Sequence, residues 1–400
     1  MSSVTLADVS EAIVDCEHKT APAAALGSEY AYSVGTPHLR DGRIILSQSK
    51  RVDKSTYEAW TARAVPREGD LIFAREAPVG QVGRVGPTER VCLGQRTVLI
   101  RPDSNRIHPR FLHYLLLAPQ TQERMHSKAG GSTVAHLNVA DIRGLVLPTL
   151  PARATQEAIA DLLGALDDKI VVNENTSNAA LELGGATYDA ASRTSDWKDV
   201  SLRHAARWYS GGTPSTAEPT FWSGDIPWIS AASLKSPWLD ESDRKVTELG
   251  ASNGTRLAPK GTVIFVVRGM SLKTEFRIGI ARRTVAFGQD CKALVPLDGI
   301  TGDLLLHAIR NRSSDVLDLV DEAGHGTGRL ATDRIEQMVI RAPSDRSDRI
   351  NEALQNLNDL ASSRQRESRT LTDLRDLLLP KLMSGEIRVR AAEKVVEEAL

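Results

Sequence analysis

The sequence lacks the features by which many secreted proteins and membrane proteins are recognised. Its 400 residues contain three cysteines, Cys16, Cys92 and Cys291, without a C-x-x-C spacing, so a disulfide framework or a structural zinc site is not expected. The N-terminus has neither a basic nor an apolar segment, and the most apolar run, residues 263–267, has only the length of a strand. A signal peptide and a membrane span are therefore not predicted, and a cytoplasmic location is expected.

Catalytic motifs are also missing. No glycine is followed by lysine, which excludes a P-loop, and the patterns H-E-x-x-H and G-x-S-x-G do not occur. Glu17, His18 and Lys19, with Asp8 and Asp15 before them, look like the carboxylate–lysine group of some nucleases, but motifs this short often arise by chance. The sequence therefore favours a binding protein that has no catalytic residues and that itself binds no metal and no cofactor.

The sequence has little excess charge of either sign. Its formal net charge is −1. Residues 1–150 carry 18 Lys and Arg against 15 Asp and Glu, residues 197–343 carry 19 against 17, and residues 151–196 carry 3 against 8. Strong nucleic-acid binders usually show a clear basic excess, so a DNA-binding role would require a partner that neutralises many of the phosphates.

What the sequence does contain is an internal duplication. Three segments recur in the same order: REGDLIF at 67–73 as PKGTVIF at 259–265, LGQR at 93–96 as FGQD at 287–290, and GGST at 130–133 as GHGT at 324–327. The offset between copies stays at about 192 to 194 residues, far longer than a solenoid repeat of roughly 20–50 residues. The chain therefore contains two copies of one domain, and two similar heads are expected to read two similar but non-identical targets.

Each copy is predicted to mix strands and helices. Short β-rich runs bounded by Gly, Pro and charged turns predict strands at residues 71–74, 90–100, 263–267, 278–285 and 293–297. Helical patterns at 109–127 and 302–322 precede a Gly/Thr-rich loop and a last apolar strand, which closes at Pro148 or Pro343.

After each copy the apolar spacing becomes helical. Spacings of three, four and seven residues predict two helices of about 30 residues, roughly 45 Å long, whose apolar seams face each other; a pair of ordinary core helices is the alternative. The predicted seam residues are Ile159, Leu163, Leu166, Ile170, Leu354, Leu357, Leu371, Leu374 and Leu378. The same pattern includes Leu183 and Leu360, and polar residues interrupt it at 173–177 and 364–368.

These patterns predict an α+β fold with two similar mixed α/β heads separated by two long antiparallel helices. The predicted segments are residues 1–150 for the first head, 151–196 for the first helix, 197–343 for the second head, 344–390 for the second helix and 391–400 for a C-terminal tail. The helices would hold the heads at opposite ends, related by an approximate two-fold axis. Such a spacer has the order of length that separates the half-sites of dimeric DNA readers, about 34–36 Å.

Candidate DNA-contact residues lie after strands and in the glycine-rich loops of both heads. Loop N–H groups and hydroxyls suit phosphates, although a helix C-cap is an equally good reading of these loops. Arginine and lysine side chains after strands could reach base edges, although single surface charges are more often solvated, and Trp228 is expected in the core. The candidates are Lys19, Thr20, Arg75, Gln95, Arg96, Ser132, Thr133, His136, Ser230, Ser233, Lys235, Arg268, Gln289, Lys292, His325, Thr327 and Arg329.

Several segments, taken in order, resemble the specificity subunit of type I restriction-modification systems. Residues 378–389, LLPKLMSGEIRV, look like the end of that family's last long helix, and residues 156–170, QEAIADLLGALDDKI, look like its central region. GGTPS at 211–215 with FWSGDIPWIS at 221–230, and DCEHKT at 15–20, look like the starts of its two target recognition domains. The chain departs from the usual pattern at residues 151–155, 184–185 and 342–346.

The resemblance implies a function and a set of partners. Each head would be a target recognition domain that reads one half of a bipartite, asymmetric site in double-stranded DNA. The helices would dock two adenine methyltransferase subunits, which bind S-adenosylmethionine, and motor-nuclease subunits would join them for restriction and phage defence. Two other functions stay open: a protein-binding adaptor with a coiled-coil spacer, which the low net charge favours, and a solitary nuclease that uses the cluster from Glu17 to Lys19.

Overall fold

The computed structural model describes residues 3–130, 135–297, 299–323, 327–344 and 348–399. It divides the chain into two compact units. The first unit comprises Met1–Val171 and Arg369–Leu400, and the second comprises Val172–Ser368. Each unit therefore contains one head together with one part of each long helix, rather than a head alone. In the described residues, no helix is long and apolar enough to cross a membrane.

The first head is built on a four-stranded antiparallel sheet and a smaller three-stranded one. Its strands are β1 Ser10–Asp15, β2 Ala31–Val34, β3 Leu39–Arg40, β4 Arg43–Ile44, β5 Lys50–Val52, β6 Leu71–Ala74, β7 Val82–Arg84, β8 Val91–Leu93 and β9 Thr97–Pro102. Its helices are α1 Lys54–Trp60, α2 Pro109–Leu117, α3 Pro119–Lys128 and α4 Val139–Arg143. The large sheet has the order β1-β9-β6-β7, the small one the order β5-β2-β8, and β3 pairs with β4.

Strand β6 lies at the centre of the first head, and all four of its residues are buried. Leu71 and Phe73 belong to the apolar cluster that contains Phe111 of α2. Ile72 and Ala74 belong to a second cluster, which includes residues of the small sheet. Because successive side chains of a strand point to opposite faces, helices cover one face and the small sheet covers the other. This explains why the strand reads as a continuous apolar run and not as an alternating one.

The long helix α5 Arg153–Ser192 connects the first head to the second. The second head has strands β10 Trp197–Ser201, β11 Ala206–Ser210, β12 Trp222–Ile229, β13 Trp238–Leu239, β14 Lys245–Val246, β15 Arg256–Ala258, β16 Val263–Val266, β17 Arg268–Gly269, β18 Ile278–Ala281, β19 Val285–Phe287, β20 Cys291–Pro296, β21 Val320–Ala323, β22 Thr327–Leu330 and β23 Val339–Pro343. Its helices are α6 Leu202–Ala205, α7 Glu248–Ser252, α8 Gly302–Arg310, α9 Ser313–Leu317 and α10 Thr332–Glu336. Its main sheets have the orders β11-β20-β16-β18-β13 and β14-β12-β19-β15.

The two heads repeat the same strand pairing. Leu71 of β6 pairs with Ile100 of β9, and Val263 of β16 pairs with Leu294 of β20, which reproduces the offsets of 192 and 194 residues. In both small sheets a parallel pair leads into the Gly-Gln turn, between β2 and β8 in the first head and between β12 and β19 in the second. The predicted duplication is therefore present in three dimensions, down to the strand register.

The second long helix is α11 Asp348–Ser384, and it is followed by α12 Val389–Ala399. Helices α5 and α11 contain 40 and 37 residues, so both are longer than the predicted 30 or so. In the first unit, seam residues of both helices share one apolar cluster: Ile159, Leu163, Leu166 and Ile170 of α5 with Leu371 and Leu378 of α11. In the second unit, Leu181 and Tyr188 of α5 share a cluster with Leu354 of α11, against which Leu357 packs. Each unit thus takes the first part of one helix and the last part of the other, as an antiparallel pair requires.

The predicted α+β class, with two similar heads and two long helices, is confirmed, but some details differ from the prediction. Leu183 and Leu360, which fit the helical spacing, are 55% and 39% exposed and lie outside the seam, whereas Leu374 is buried. The helical pattern at 109–127 is divided at Ala118 into α2 and α3, because Pro119 begins a new helix. The pattern at 302–322 forms α8 and α9 and then enters β21. The predicted tail is largely the helix α12, whose Ala392 is buried in the core of the first unit.

Candidate nucleic-acid interface

In the first head, four candidate residues and His18 meet where β1 and β6 end and β9 begins. We call this group, His18, Arg75, Gln95, Arg96 and His136, the first edge. The backbone N–H of Arg75 donates to the carbonyl of Arg96 at 3.0 Å, and the Gln95 amide donates to the carbonyl of His18 at 3.3 Å. His136 forms an isolated β-bridge with Glu76. Residues that are far apart in sequence are therefore brought to one rim of the large sheet.

Ion pairs order the side chains of the first edge. The Arg96 Nε lies 2.7 Å from a Glu76 carboxylate oxygen, and an Arg75 Nη lies 3.3 Å from the Asp15 carboxylate. Arg96 has a φ of +68°, which turns the chain sharply between β8 and β9. Its side chain is still 54% exposed, so the guanidinium stands in solvent while one carboxylate holds its orientation. This is a geometry from which an arginine can donate to a phosphate or to a base edge.

The equivalent rim of the second head carries Arg268, Gln289, Lys292 and Arg329, which we call the second edge. Arg268 of β17 and Arg329 of β22 are direct antiparallel partners, and both are exposed. The N–H of Arg268 donates to the carbonyl of Asp290 at 3.3 Å, beside the exposed Gln289. The Lys292 ammonium donates to the Ser210 hydroxyl at 2.7 Å. Three cations and an amide are thus placed together on one rim.

Six more candidates lie among the residues that the structure describes. Lys19 and Thr20 are exposed and follow His18 in sequence, and Thr327 begins β22. Ser230 and Ser233 bind each other, since each backbone N–H donates to the other residue's hydroxyl at about 3 Å, so the pair closes a turn before the exposed Lys235. As DNA contacts, all of these stay predictions. Ser132, Thr133 and His325 lie outside the described residues.

Trp228 is buried, as predicted, and its indole N–H donates to the carbonyl of Gly212 at 3.1 Å. Its edge meets Trp222, over which the Arg244 guanidinium stacks at 3.6 Å from the ring centroid. Trp222 and Arg244 line an open cleft of about 600 Å³ together with Thr216, Ser223 and Lys245. The two tryptophans of β12 therefore pack against each other, and Arg244 and Lys245 give the cleft positively charged groups.

Asp15, Cys16 and His18 are the one group that could hold a metal among the residues that the structure describes. Their ligand atoms lie within 4.8 Å of one another. However, the Arg75 guanidinium already lies 3.3 Å from the Asp15 carboxylate, and the Glu17 carboxylate lies 3.3 Å from Arg63. A cation at this position would meet a neighbouring positive charge, which disfavours metal binding. The geometry supports a salt-bridge network here, in place of the carboxylate–lysine site of a nuclease.

Polar contacts join the first head to the long helices, and no pattern in the sequence pointed to them. Arg110 of α2 donates to the carbonyl of Gly164 at 2.9 Å and pairs with Asp168. The Tyr114 hydroxyl donates to the Asp167 carboxylate at 2.5 Å. Burial raises the pKa of Tyr114, so its hydroxyl keeps its proton and serves as the donor. Arg375 of α11 binds the same Asp167 carboxylate at 2.9 Å, which joins α2, α5 and α11 at one point.

In the second head, different residues join the helix α8 to the long helices α5 and α11. The buried His307 ring of α8 contacts the Asn358 amide of α11 through Nε2 at 3.0 Å. Burial lowers the pKa of His307, so the ring is neutral at ordinary pH. The Asn311 amide donates to the carbonyl of Gly185 in α5 at 2.9 Å, and Arg282 pairs with Asp303 and with Asp359 of α11. In each head, the helix α2 or the helix α8 with the Asn311 that follows it therefore contacts both long helices of its unit.

Comparison with known proteins agrees with this architecture. Residues 4–183 match the model of the type I restriction modification DNA specificity domain. The chain is 29% identical over 171 residues to the EcoR124I/EcoR124II specificity subunit of Escherichia coli, which covers 42% of each protein. It is 20% identical over 412 residues to the HindI specificity subunit of Haemophilus influenzae, covering 82% of this chain and 88% of that protein.

A solved structure shows the same fold over nearly the whole chain. The type I restriction-modification S subunit from M. genitalium superimposes with a TM-score of 0.60 at 15% identity, covering 95% of both chains. The MjaIX specificity subunit of Methanocaldococcus jannaschii is 24% identical over 182 residues, or 41% of its length. The matches to the E. coli and M. jannaschii relatives thus span less than half of those proteins. The chain is therefore similar to the DNA specificity subunits of type I restriction-modification systems, over residues 4–183 for the family model and over 82% of its length for the HindI subunit.

Proposed function

We propose that this chain is the DNA-reading subunit of a type I restriction-modification complex and that it performs no catalysis itself. Each head would read one half of a bipartite, asymmetric site, and the bases between the halves would not be read. The observation that carries the proposal is the repetition of one exposed polar rim, at the same strand ends of both heads, with different side chains in each copy. Two similar frames with different donors suit two different half-sites.

The partners follow from the same proposal. Two adenine methyltransferase subunits would dock on the long helices and use S-adenosylmethionine, and motor-nuclease subunits would join them when foreign DNA is cut in the cytoplasm. The two heads carry only a small excess of positive charge, 18 against 15 and 19 against 17. The methyltransferase subunits would supply the positive charge that this chain lacks and would neutralise the remaining phosphates.

The direct test is to express the chain with its methyltransferase partner in a host without other adenine methylation and to map modified adenines by long-read sequencing. We expect one bipartite motif with two fixed halves and a constant gap between them. Omitting this chain should abolish the motif, because the methyltransferase would then have no reader. Methylation that persists without the chain would contradict the proposal.

The near-neutral charge, −1 overall, keeps one alternative worth testing, namely an adaptor whose heads bind other proteins. Electrophoretic mobility shifts with the methyltransferase present separate the two functions. DNA binding that weakens steeply with salt supports the reader. An adaptor would show no DNA-dependent shift at any salt concentration, with or without the partner.

A further inference from the structure

The hydrogen bonds of the two edges show which positions of the heads are equivalent. In the first head, the N–H of Arg75 donates to the carbonyl of Arg96 at 3.0 Å. In the second, the N–H of Val267 donates to the carbonyl of Asp290 at 2.8 Å. Arg96 and Asp290 therefore occupy the same place, the last residue of the Gly-Gln turn that precedes β9 or β20.

A second pair of bonds extends this equivalence to the neighbouring strand. The N–H of Leu137 donates to the carbonyl of Arg75, and the N–H of Leu330 donates to the carbonyl of Val267, both at 2.9 Å. The residue after Arg75 then bridges to His136, as the residue after Val267 bridges to Arg329. Glu76 and Arg268 are these following residues, so they too occupy the same place.

The charges at these two places are reversed between the heads. We call the position of Glu76 and Arg268, which bridges to the neighbouring strand, the hairpin position. The first head has Glu76 there and Arg96 on the turn, whereas the second has Arg268 there and Asp290 on the turn. In each head the arginine is the more exposed member of the pair and the acid is the less exposed one. The cation that reaches solvent therefore stands on the turn in the first head and on the hairpin in the second.

The surroundings of the pair do not reverse. Gln95 and Gln289 occupy the same turn position, and both are exposed. The glycine before each of them binds the carbonyl at the end of the parallel strand at 2.8 Å, from Gly94 to Val34 in the first head and from Gly288 to Ile229 in the second. The backbone frame is thus common to both heads, and the position of the arginine is what varies within it.

We propose that this acid–arginine pair determines specificity, and that it sets at which base pair of each half-site an arginine reads the DNA. The inference rests on the proposed function. An arginine carries five N–H donors, and it reads guanine by bidentate hydrogen bonds to O6 and N7. In the first head the Glu76 carboxylate orients the Arg96 guanidinium. In both heads the acid repels phosphates, which leaves the arginine as the member of the pair that approaches DNA. Moving the arginine from turn to hairpin moves the base that it meets.

The reversal can be imposed on the first head by the double substitution Glu76→Arg with Arg96→Asp. The ion pair is kept, with its charges exchanged, and the net charge is unchanged. Aspartate tolerates the left-handed backbone better than most residues, so the φ of +68° at position 96 does not oppose the change. A matched control exchanges the exposed pair of helix α1, Lys54→Glu with Glu58→Lys, whose charged atoms lie 3.8 Å apart.

The experiment maps adenine methylation by the full complex that contains each variant. We expect the double variant to change the recognised base at one or two positions in one half-site, while the other half-site and the control variant keep the wild-type motif. Arg96→Lys keeps the charge but loses the bidentate geometry, so it should relax discrimination at that position by roughly tenfold. If the double variant does not fold, Arg96→Lys still tests whether Arg96 reads a base.

Two outcomes would overturn the inference. One is an unchanged motif for Arg96→Lys or for a folded double variant, which would mean that the pair does not read bases. The other is an equal loss of both half-sites in a folded complex, which would assign the pair to assembly. A wild-type complex that gives no bipartite motif would instead refute the proposed function, so the two failures are distinguishable.

Discussion

At the scale of single residues, the sequence showed which side chains could contact DNA, but it did not show which other groups of the protein those side chains would bind. Arg75, Arg96 and Gln95 were identified as candidates because they follow strands, and the structure gathers them on one rim. Their partners Asp15 and Glu76 could not be assigned, because pairing across 20 to 60 residues depends on strand register. Ser230 and Ser233 show the converse, since their hydroxyls are engaged by local turn bonds that the sequence did not reveal.

A buried histidine gives the first prediction. Burial lowers the pKa of His113 to about 4, and its Nε2 lies 2.8 Å from the carbonyl of Gly42. The unfolded chain takes up this proton as the pH falls through about 6.5, whereas the folded chain takes it up only near the lowered value. The unfolded state therefore binds more protons between these values, and stability falls as the pH drops through this window.

Thermal unfolding at pH 7 and pH 5 measures this effect. His113→Gln keeps a donor for Gly42 and should reduce the loss of melting temperature between the two pH values. The exposed His126, changed to Gln, serves as the control and should leave the loss as it is in the wild type. An equal pH dependence for wild type and His113→Gln would show that this ring does not titrate on unfolding.

At the scale of helices and strands, the duplicated sequence predicted the central strands well, because β6 and β16 are short apolar runs between turn residues. The seam of the long helices was also largely predictable from its spacing. The exposure of Leu183 and Leu360 was not, because a spacing identifies one face of a helix without saying where its contacts end. The unusual pair Gly184 and Gly185 in α5 is explained by what packs on it, namely His307 of α8 and Asn311, which follows that helix.

The second prediction concerns this glycine contact. A Cβ at position 184 would lie 2.4 Å from the buried His307 ring, whereas a Cβ at position 164 would lie 2.5 Å from the guanidinium end of the long Arg110 side chain, which can shift more easily than a buried ring. An alanine in a free helix interior stabilises by roughly 0.5–1 kcal/mol over glycine, but overpacking a core costs about 1–3 kcal/mol. We therefore expect Gly184→Ala to lower the free energy of unfolding more than Gly164→Ala does.

Urea denaturation of the two variants provides the comparison. The order of the two effects is the critical observation, since both substitutions make the same chemical change in the same helix. A Gly184→Ala protein that is more stable than the wild type would show that the glycine is not needed for the approach of α8.

The third prediction treats the long helices as a ruler for the distance between the half-sites. An insertion of seven residues into each helix, near residues 173–177 and 364–368, keeps the heptad face of the seam. It adds roughly 10 Å at 1.5 Å per residue, or about 3 bp at 3.4 Å per base pair. Because DNA twist and bending absorb part of this, the unread gap should grow by roughly 1–3 bp, and both half-sites should stay the same. Methylation mapping of an active insertion variant that shows only the original gap would assign the spacing to the methyltransferase subunits.

At the scale of the whole molecule, the duplication was the strongest signal in the sequence, and the low net charge was the least informative. Charge argued weakly against DNA binding, whereas the repeated edges place arginines together in a chain that is neutral overall. Composition could not show this, because the cations of an edge come from strands that only the fold brings together.

The fourth prediction follows from the small excess of charge on the heads. The isolated chain should bind DNA weakly, with a shallow dependence of the binding constant on salt, and the methyltransferase partner should steepen that dependence. Fluorescence anisotropy at several salt concentrations, with and without the partner, measures both slopes. Nanomolar, sequence-specific binding by the chain alone at physiological salt would be the opposite of this expectation.

The most direct test of the central claim is replacement of one head. Residues 1–150 of this chain are exchanged for the corresponding head of a relative, and methylation is mapped for the assembled complex. If the two heads are separate readers, one half of the motif changes, and the other half and the gap do not. A folded, active chimaera in which both halves change, or neither does, would contradict the account that each head reads its own half-site.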